Sequence, residues 1–261
     1  MHPILIDMGF LKIYSYGFSL ALAFLVGTFF AYKRAQSYNE NPTNVLDLSL
    51  YIILSALIGS RLFYVAYFPK HFIEHPLDII MIQRGGLVFY GGIIFSILTA
   101  LAFFIKRKLS ILKYADIFAP CIPIGQAIGR IGCFLNGCCY GRPTFDNWGV
   151  LFPKNSPGGF SNLFNLLLHP TQIYSSLILV SIFIILLLYE KHKKYNSELF
   201  LLYAVLYSLT RFITEFFRGD LPKWILGRYT TSQMLSVFIL VLSFIGMIIV
   251  RNVQLKRQKN G

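Results

Sequence analysis

The stretch GQAIGRIGCFLNGCCYGR, residues 125–142, decides how the rest of the chain is interpreted. It belongs to an apolar run that opens near Tyr114, and it places Arg130 among glycines at membrane depth. Inserting an arginine into a membrane costs roughly 2.5 to 3.5 kcal/mol, so such a residue usually has a functional reason. The alternative is a structural arginine that extends to the interface or pairs with a carboxylate of another helix. We favour a functional arginine, because Arg211 lies in a similar apolar setting further along the chain.

Glycines recur throughout this stretch, at positions 125, 129, 132, 137 and 141. Small residues at such spacing allow two helix backbones to approach each other closely. They also leave room for a ligand beside the guanidinium of Arg130.

The composition predicts a polytopic α-helical membrane protein. Of 261 residues, 56% are hydrophobic and only 13% are charged, whereas about a quarter of an ordinary soluble domain is charged. Several apolar runs approach or exceed the roughly 18 residues that span a bilayer as a helix. We therefore predict a single transmembrane domain over residues 1–261, with a bundle of seven transmembrane helices. Their approximate bounds are 14–32, 46–66, 87–105, 114–135, 172–189, 198–217 and 231–250.

The net charge of +13 is mainly a signal of membrane topology. The short connections after the first, third and fifth predicted helices, together with the C-terminal tail, carry most of the basic residues. The positive-inside rule then places the N-terminus outside and the C-terminus in the cytoplasm. We therefore predict no nucleic-acid partner, and we expect some attraction to anionic membrane lipids.

Four cysteines at positions 121, 133, 138 and 139 fall within one short region. The adjacent Cys138 and Cys139 do not match CxxC spacing, and no histidine is close to them in the sequence. We interpret the cysteines as small packing residues, with a disulfide as an open alternative, and we predict neither a metal nor a cofactor.

Glycine pairs at 85–86 and 91–92 flank the entry of the third predicted helix. Paired glycines permit positive φ and expose backbone N–H groups, so Gly91 and Gly92 are candidates for binding an anion at a helix N-terminus. Arg61, at the outer end of the second helix, is compatible equally with an interfacial and a functional role. Residues 1–13 are interpreted as an external segment that lies at the interface.

One outer connection and one helix add further candidates. The connection at about 136–170 is too long to be a simple connector, and such length is typical of a functional loop. It ends in His169, which we interpret as a turn residue in preference to a catalytic one. In the sixth predicted helix, Tyr207, Arg211, Glu215 and Arg218 share one face, because residues three and four apart are neighbours. Glu215 could neutralise Arg211, or it could orient Arg211 for a ligand.

Buried arginines, tyrosine hydroxyls and glycine-lined backbone thus converge on the outer half of the bundle. Arginine binds phosphate through two N–H groups and stays charged, so an anionic phospholipid head group is the expected ligand. An enzyme that acts on lipid and a non-enzymatic phospholipid carrier or scramblase both fit these residues. The absence of an internal sequence repeat favours the enzyme.

The motif GRIGCFLNGCCYGR at 129–142 resembles the signature of the prolipoprotein diacylglyceryl transferase family. Further stretches resemble that family in the same order along nearly the whole chain. They are residues 14–17, GSRLFY at 59–64, GGLVFYGG at 85–92, HPTQIY at 169–174 and YSLTRFITEFFRGD at 207–220. The resemblance implies a seven-helix enzyme of the bacterial cytoplasmic (inner) membrane, with its active site towards the outer leaflet. Such an enzyme transfers the diacylglyceryl group of phosphatidylglycerol to the lipobox cysteine of a prolipoprotein signal peptide. A thioether forms, and glycerol-1-phosphate is released.

The resemblance also implies site residues. Arg130 and Arg211 match functional positions of the family, with Tyr16, Tyr207 and Gly141 beside them. Many members have a histidine at the position of Tyr90, and that histidine is often proposed as the base for the thiol. We therefore predict that the arginines hold the phosphate and the tyrosines at 16 and 207 orient the head group. Tyr90, or a water that it holds, takes the thiol proton, with His169 as the alternative base.

Overall fold

The computed structural model describes residues 1–8, 12–81, 85–153, 156, 165–220 and 229–259. Within these residues, six helices are long and apolar enough to cross a membrane, and a bent pair of helices would supply a seventh span. The predicted polytopic α-helical class is confirmed. The count of seven requires the bent pair to be one span, and the orientation of the termini stays a prediction.

The helices are α1 (Ser15–Ser37), α2 (Thr43–Tyr67), α3 (Pro69–Glu74), α4 (Phe89–Arg107), α5 (Ile111–Phe118), α6 (Cys121–Asn136), α7 (Thr171–Tyr189), α8 (Glu198–Thr214) and α9 (Thr231–Lys259). Short 3-10 helices cover Pro76–Ile80, Glu190–His192 and Glu215–Phe217, and two strands, β1 and β2, cover Ile4–Asp7 and Lys12–Tyr14.

The fourth predicted span is broken. Instead of one helix over 114–135, α5 and α6 meet at an angle of 41°. Pro120 lies at the break, immediately before α6. Proline has no N–H to donate and its ring collides with the carbonyl four residues earlier, so a straight helix cannot continue through this position. Hydropathy does not register this effect, which explains the incorrect prediction of one continuous helix.

The N-terminal segment contains two paired antiparallel strands, β1 and β2, and its expected position at the interface stays a prediction. Ile4 pairs with Tyr14, and Asp7 pairs with Lys12. The Lys12 Nζ atom lies 3.3 Å from a carboxylate oxygen of Asp7. The second strand ends at Tyr14, and α1 begins at the next residue, Ser15. The amide of Ser15 donates to the carbonyl of Pro3 at 2.9 Å, which ties the start of α1 to the strand pair.

The contacts divide the chain into two compact units, residues 1–31 with 112–261 and residues 32–111. In the second unit, α2 packs on α4 at two facing glycines, Gly59 and Gly91. A Cβ atom at Gly91 would collide with the carbonyl oxygen of Gly59, so the backbones touch as small residues in membrane helices allow. Gly91 and Gly92 lie in the first turn of α4, as predicted, and both are buried there. Anion binding by these two glycines stays a prediction.

In the first unit, α6, α7 and α8 pack around a core that includes Ala119, Ile182, Leu186, Leu199 and Tyr203. One end of this core is fixed by the fully buried carboxylate of Asp116. That carboxylate accepts hydrogen bonds from Lys193 Nζ at 2.9 Å and from the Ser197 amide at 2.7 Å. The core thus rigidly joins the helices that carry Arg130 and Arg211.

Glycines of the opening stretch bring α6 against α1 in the same unit. A Cβ atom at Gly132 would lie 2.6 Å from Ser19 Cβ, and one at Gly125 would lie 3.4 Å from the Ala23 carbonyl oxygen. These positions are two helical turns apart, so one face of α6 needs small residues. Among the described residues, a Cβ atom at Gly129 would meet nothing within 4 Å. The predicted close approach is confirmed at positions 125 and 132, and position 129 opens space next to Arg130.

Candidate active site

A small cavity lies between α6, α7 and α8. Its polar lining consists of Arg130, Ser175, Tyr207, Thr210, Arg211 and Thr214. Both predicted arginines and one of the predicted tyrosines therefore meet at one place. The broken span contributes Arg130, and the apolar side chains Ile178 and Leu179 close one wall.

Arg211 is held at the cavity wall by an anchored carboxylate. Its Nη2 atom lies 3.0 Å from Glu215 Oε2 and 3.2 Å from Ser232 Oγ. The other carboxylate oxygen of Glu215 accepts a hydrogen bond from Thr230 Oγ1 at 2.8 Å. The predicted pair between Arg211 and Glu215 is thus present. Because Arg211 also lines the cavity, the pair fixes the guanidinium where a ligand can reach it.

Arg130 has a different electrostatic environment. Its guanidinium has no carboxylate within ion-pair distance in the part of the chain that the structure describes, and this part contains every Asp and Glu. The carboxylate of Glu215 neutralises the guanidinium of Arg211. The positive charge of Arg130 is therefore not neutralised by a described carboxylate. A positive charge at a partly buried wall attracts an anion more strongly than it would in water. A guanidinium is especially suited to phosphate, since it can donate two parallel hydrogen bonds.

Tyr207 is linked to the helix that carries Arg130 through Tyr203, its neighbour on α8. Its ring stacks on that of Tyr203, with centroids 5.7 Å apart and an interplanar angle of 28°. The Tyr203 hydroxyl donates to Gln126 Oε1 on α6 at 3.0 Å. Gln126 lies one helical turn before Arg130, so this chain of contacts sets the spacing between α8 and α6 beside the cavity.

Gly141 has a packing role. A Cβ atom at this position would lie 2.5 Å from both the Cβ and the carbonyl oxygen of His169. The Gly141 amide donates to that same carbonyl at 3.0 Å, and Gly141 also bridges to Arg218 as a short antiparallel pair. Glycine is therefore needed for the chain to pass between these two segments. A contact of Gly141 with substrate stays a prediction.

Arg218 fixes the end of this pairing. It makes two hydrogen bonds to the Asp220 carboxylate, at 2.9 and 2.7 Å. Burial lowers the pKa of the Arg218 guanidinium, but the contact with Asp220 outweighs that effect and leaves the pKa above its ordinary value. Arg218 is thus a permanently charged structural residue, neutralised by its own neighbour.

Tyr16 and Tyr90 lie in the first turns of their helices. Tyr16 is partly exposed on α1, and a Cβ atom at Gly132 would lie 3.5 Å from Tyr16 Cα, so this turn touches α6 close to Arg130. Tyr90 is 68% exposed on α4 and belongs to the unit formed by residues 32–111. Binding by Tyr16 and proton transfer by Tyr90 stay predictions.

His169 is built into the outer connection. Its amide donates to the Arg142 carbonyl at 3.0 Å, and its ring Nδ1 lies 3.3 Å from the Tyr174 hydroxyl. These contacts agree with the expected turn residue. Residues 154–155 and 157–164 of the same connection lie outside the described residues.

Four polar residues of the site were not predicted from the sequence: Ser175, Thr210, Thr214 and Ser232. Thr210 and Thr214 lie three and seven residues after Tyr207, on the helical face that Arg211 shares. Extending the periodicity of that face would have identified both threonines. Ser175 and Ser232 come from other helices, and no spacing in the sequence connects them to Arg130 or Arg211.

The fold defines a polytopic α-helical membrane protein, with two arginines lining a cavity between three of its helices. The chain belongs to the prolipoprotein diacylglyceryl transferase family, whose family model matches residues 3–249. A Clostridium tetani relative named phosphatidylglycerol–prolipoprotein diacylglyceryl transferase is 36% identical, over 93% of this chain and 95% of the relative. A Rickettsia felis protein of the same name is 35% identical, over 93% of this chain and 94% of the relative. The family and the transferase activity expected from the sequence are thereby confirmed.

Proposed function

We propose that Arg130 and Arg211 bind the phosphate of phosphatidylglycerol while its diacylglyceryl group is transferred to a prolipoprotein. One observation carries this proposal: Arg130 lines the cavity beside Arg211 and has no carboxylate partner in the described chain. We place the phosphorylated head group at this cationic wall, with the acyl chains in the surrounding lipid.

The reaction balances as one substitution at carbon. The thiolate sulfur of the peptide cysteine attacks the carbon of the diacylglyceryl unit that is bonded to the phosphate oxygen. A C–S bond forms, and the C–O bond between that carbon and the phosphate oxygen breaks. The bonding electrons leave with the oxygen, and glycerol-1-phosphate departs with additional negative charge. The bridging oxygen carries little charge while the C–O bond is intact and gains negative charge as that bond breaks. Fixed guanidinium groups at this oxygen therefore stabilise the transition state more than the ground state.

The thiol must lose its proton before attack, because the thiolate is the nucleophile. We assign this proton to Tyr90, directly or through a water, with His169 as the alternative base. The fixed position of His169 between Arg142 and Tyr174 suits a structural role better. Tyr90→Phe and Tyr90→His variants test the assignment, because a general base typically contributes about 10²–10⁴-fold. Full activity in the Phe variant would remove the phenol from acid–base chemistry.

The membrane placement completes the proposal. We assign the chain to the bacterial inner membrane, with its active site towards the outer leaflet and the C-terminus in the cytoplasm. The partner is a signal peptide with a lipobox cysteine, which approaches from the plane of the bilayer. The asymmetric distribution of basic residues between short and long connections supports this orientation.

The test combines purified protein, phosphatidylglycerol vesicles and a synthetic lipobox peptide, and it weighs the peptide by mass spectrometry. We expect a gain of one diacylglyceryl unit, which is lost with a Cys→Ser peptide and with the Arg130→Ala protein. An Arg130→Lys protein is the matched control, since it keeps the charge but not the two-pronged donor geometry. An unchanged peptide mass with well-folded protein, together with lipid movement between leaflets, would favour the carrier.

A further inference from the structure

Three cysteines meet at the end of α6. Cys133 lies in the last turn of the helix, Cys138 and Cys139 follow in the next turn, and all three sulfur atoms lie within 4.8 Å of one another. The three thiols are free, with Cys133 buried and the other two half-buried. A tetrahedral zinc ion with Zn–S bonds of about 2.3 Å requires sulfur atoms about 3.8 Å apart. Small side-chain adjustments therefore suffice to bring all three sulfurs onto one ion.

The backbone is shaped to bring these sulfurs together. Gly137 ends α6 with a φ of +74°, and Cys139 has a φ of +62°, which is rare for a residue with a Cβ. A non-glycine residue in this region costs of order 1–3 kcal/mol and persists where its surroundings impose it. The turn folds the chain back, so that the Cys138 amide donates to the Cys133 carbonyl at 3.1 Å.

Two buried side chains of α7 hold this turn in place. Thr171 Oγ1 donates to the Cys139 carbonyl at 2.8 Å, and Gln172 Nε2 donates to the Cys138 carbonyl at 2.7 Å. Both side chains are almost completely buried. Outer contacts of this kind orient metal ligands in known sites. Here they fix both adjacent cysteines with their sulfurs towards Cys133.

We propose that Cys133, Cys138 and Cys139 form a three-thiolate site for a thiophilic divalent cation, with Zn²⁺ as the first candidate. Thiolates are soft ligands that select such ions over Mg²⁺ or Ca²⁺. Three protein ligands leave one coordination position for water or another thiolate. This proposal departs from our sequence-based expectation of no metal, which rested on the absence of CxxC spacing and of a nearby histidine. The left-handed turn at Cys139 brings the sulfurs together without that spacing.

Metal binding has a structural consequence that does not depend on the proposed lipid chemistry. Cys133 lies three residues after Arg130, so the two share a helical face. An ion that ties Cys133 to the following turn fixes the end of α6 on which Arg130 is carried. We therefore expect bound Zn²⁺ to raise the thermal midpoint of the protein by several degrees, with neither lipid nor peptide present.

The experiment uses the full-length protein, purified with a phosphine reductant and stripped of metal. Zn²⁺ is titrated against a chromophoric chelator, and Cd²⁺ is titrated separately to record its thiolate charge-transfer absorption. We expect one ion per chain, with stoichiometric binding lost in C133S, C138S and C139S. Cys121→Ser is the matched control, because Cys121 is a buried cysteine of the same helix outside the cluster, and this variant should bind normally.

Three outcomes would overturn the site. The first is wild-type protein with four reactive thiols that binds no Cd²⁺ at one equivalent. The second is equal loss of binding in the Cys121→Ser control. The third is a disulfide within the cluster, detected by peptide mass mapping in a separate anaerobic preparation that contains neither oxidant nor phosphine. The wild-type Cd²⁺ titration decides the question even where a serine variant fails to fold, and peptide modification is not used as a readout.

Discussion

Arg61 and Arg130 occupy similar sequences but opposite environments. Each closely follows a glycine, in GSR at 59–61 and GR at 129–130, and each lies in an apolar helix. Arg61 is only 6% exposed, and its guanidinium donates to several backbone carbonyls, including Ile79 at 2.9 Å and Gly85 at 2.6 Å. Arg130 lines a cavity and has no carboxylate partner in the described chain. The first arginine organises a connection, and the second remains available to a ligand.

The difference lies in what the neighbouring chain offers each guanidinium. The segment after α3 wraps around Arg61 and presents its carbonyls, and the rings of Tyr64 and Phe72 lie 5.5 and 5.4 Å from the guanidinium carbon. A guanidinium has five N–H donors, and these carbonyl contacts occupy them. Around Arg130 the corresponding space is open at Gly129. Backbone carbonyls thus occupy the donors of Arg61, whereas Arg130 keeps donors for a ligand.

Removing Arg130 is expected to have the largest effect on activity. Arg130→Ala should lower kcat/KM for phosphatidylglycerol by about 10²–10³-fold, the usual loss when one donor to a developing negative charge is removed. The thermal midpoint should stay close to that of the wild type, since no described carboxylate depends on this residue. Peptide mass spectrometry and a melting curve in detergent measure the two quantities. Near-normal kcat/KM would remove Arg130 from phosphate binding.

Removing Arg61 is expected to act on stability. Arg61→Ala leaves the partly buried carbonyls of Ile79 and Gly86 and the exposed carbonyl of Gly85 without their charged donor. Because these groups are not fully buried, a destabilisation of about 1–3 kcal/mol in total is expected. The activity per folded molecule should be close to that of the wild type, measured after size-exclusion chromatography. A variant that melts normally but is inactive would place Arg61 in the reaction and break the comparison.

Sequence reasoning separated these two arginines only in part. Hydropathy predicted the apolar helices, and the setting of Arg130 and Arg211 indicated an anionic ligand. Hydropathy did not predict the break at Pro120, because that break depends on one missing N–H and one ring. The carbonyl cage of Arg61 depends on the path of a connection about twenty residues later. The clustering of three sulfurs depends on a left-handed turn at Cys139, and no spacing rule contains that information.

Breaking the ion pair of Arg211 tests how a guanidinium is kept at the cavity wall. Glu215→Gln keeps an oxygen that can accept from Thr230 but removes the negative charge beside Arg211. Small misplacements of binding groups can cost up to about 10²-fold in rate, and we expect a decrease in kcat of about tenfold. Thr230→Val is the matched control, as it releases the carboxylate without removing its charge. Unchanged kcat in both variants would show that Arg211 needs no orienting partner.

The smallest expected effect belongs to the hydroxyl of Tyr207. Tyr207→Phe keeps the ring stacked on Tyr203 and removes one polar group from the cavity. A single neutral hydrogen bond contributes about 0.5–1.5 kcal/mol, which corresponds to a rise in KM for phosphatidylglycerol of about 2- to 12-fold at constant thermal midpoint. Tyr203→Phe is the control, because its hydroxyl bonds to Gln126 away from the cavity lining and its loss should lower the midpoint instead. A rise in KM in Tyr203→Phe together with a lower thermal midpoint in Tyr207→Phe would assign the head-group contact to Tyr203 and a packing role to Tyr207.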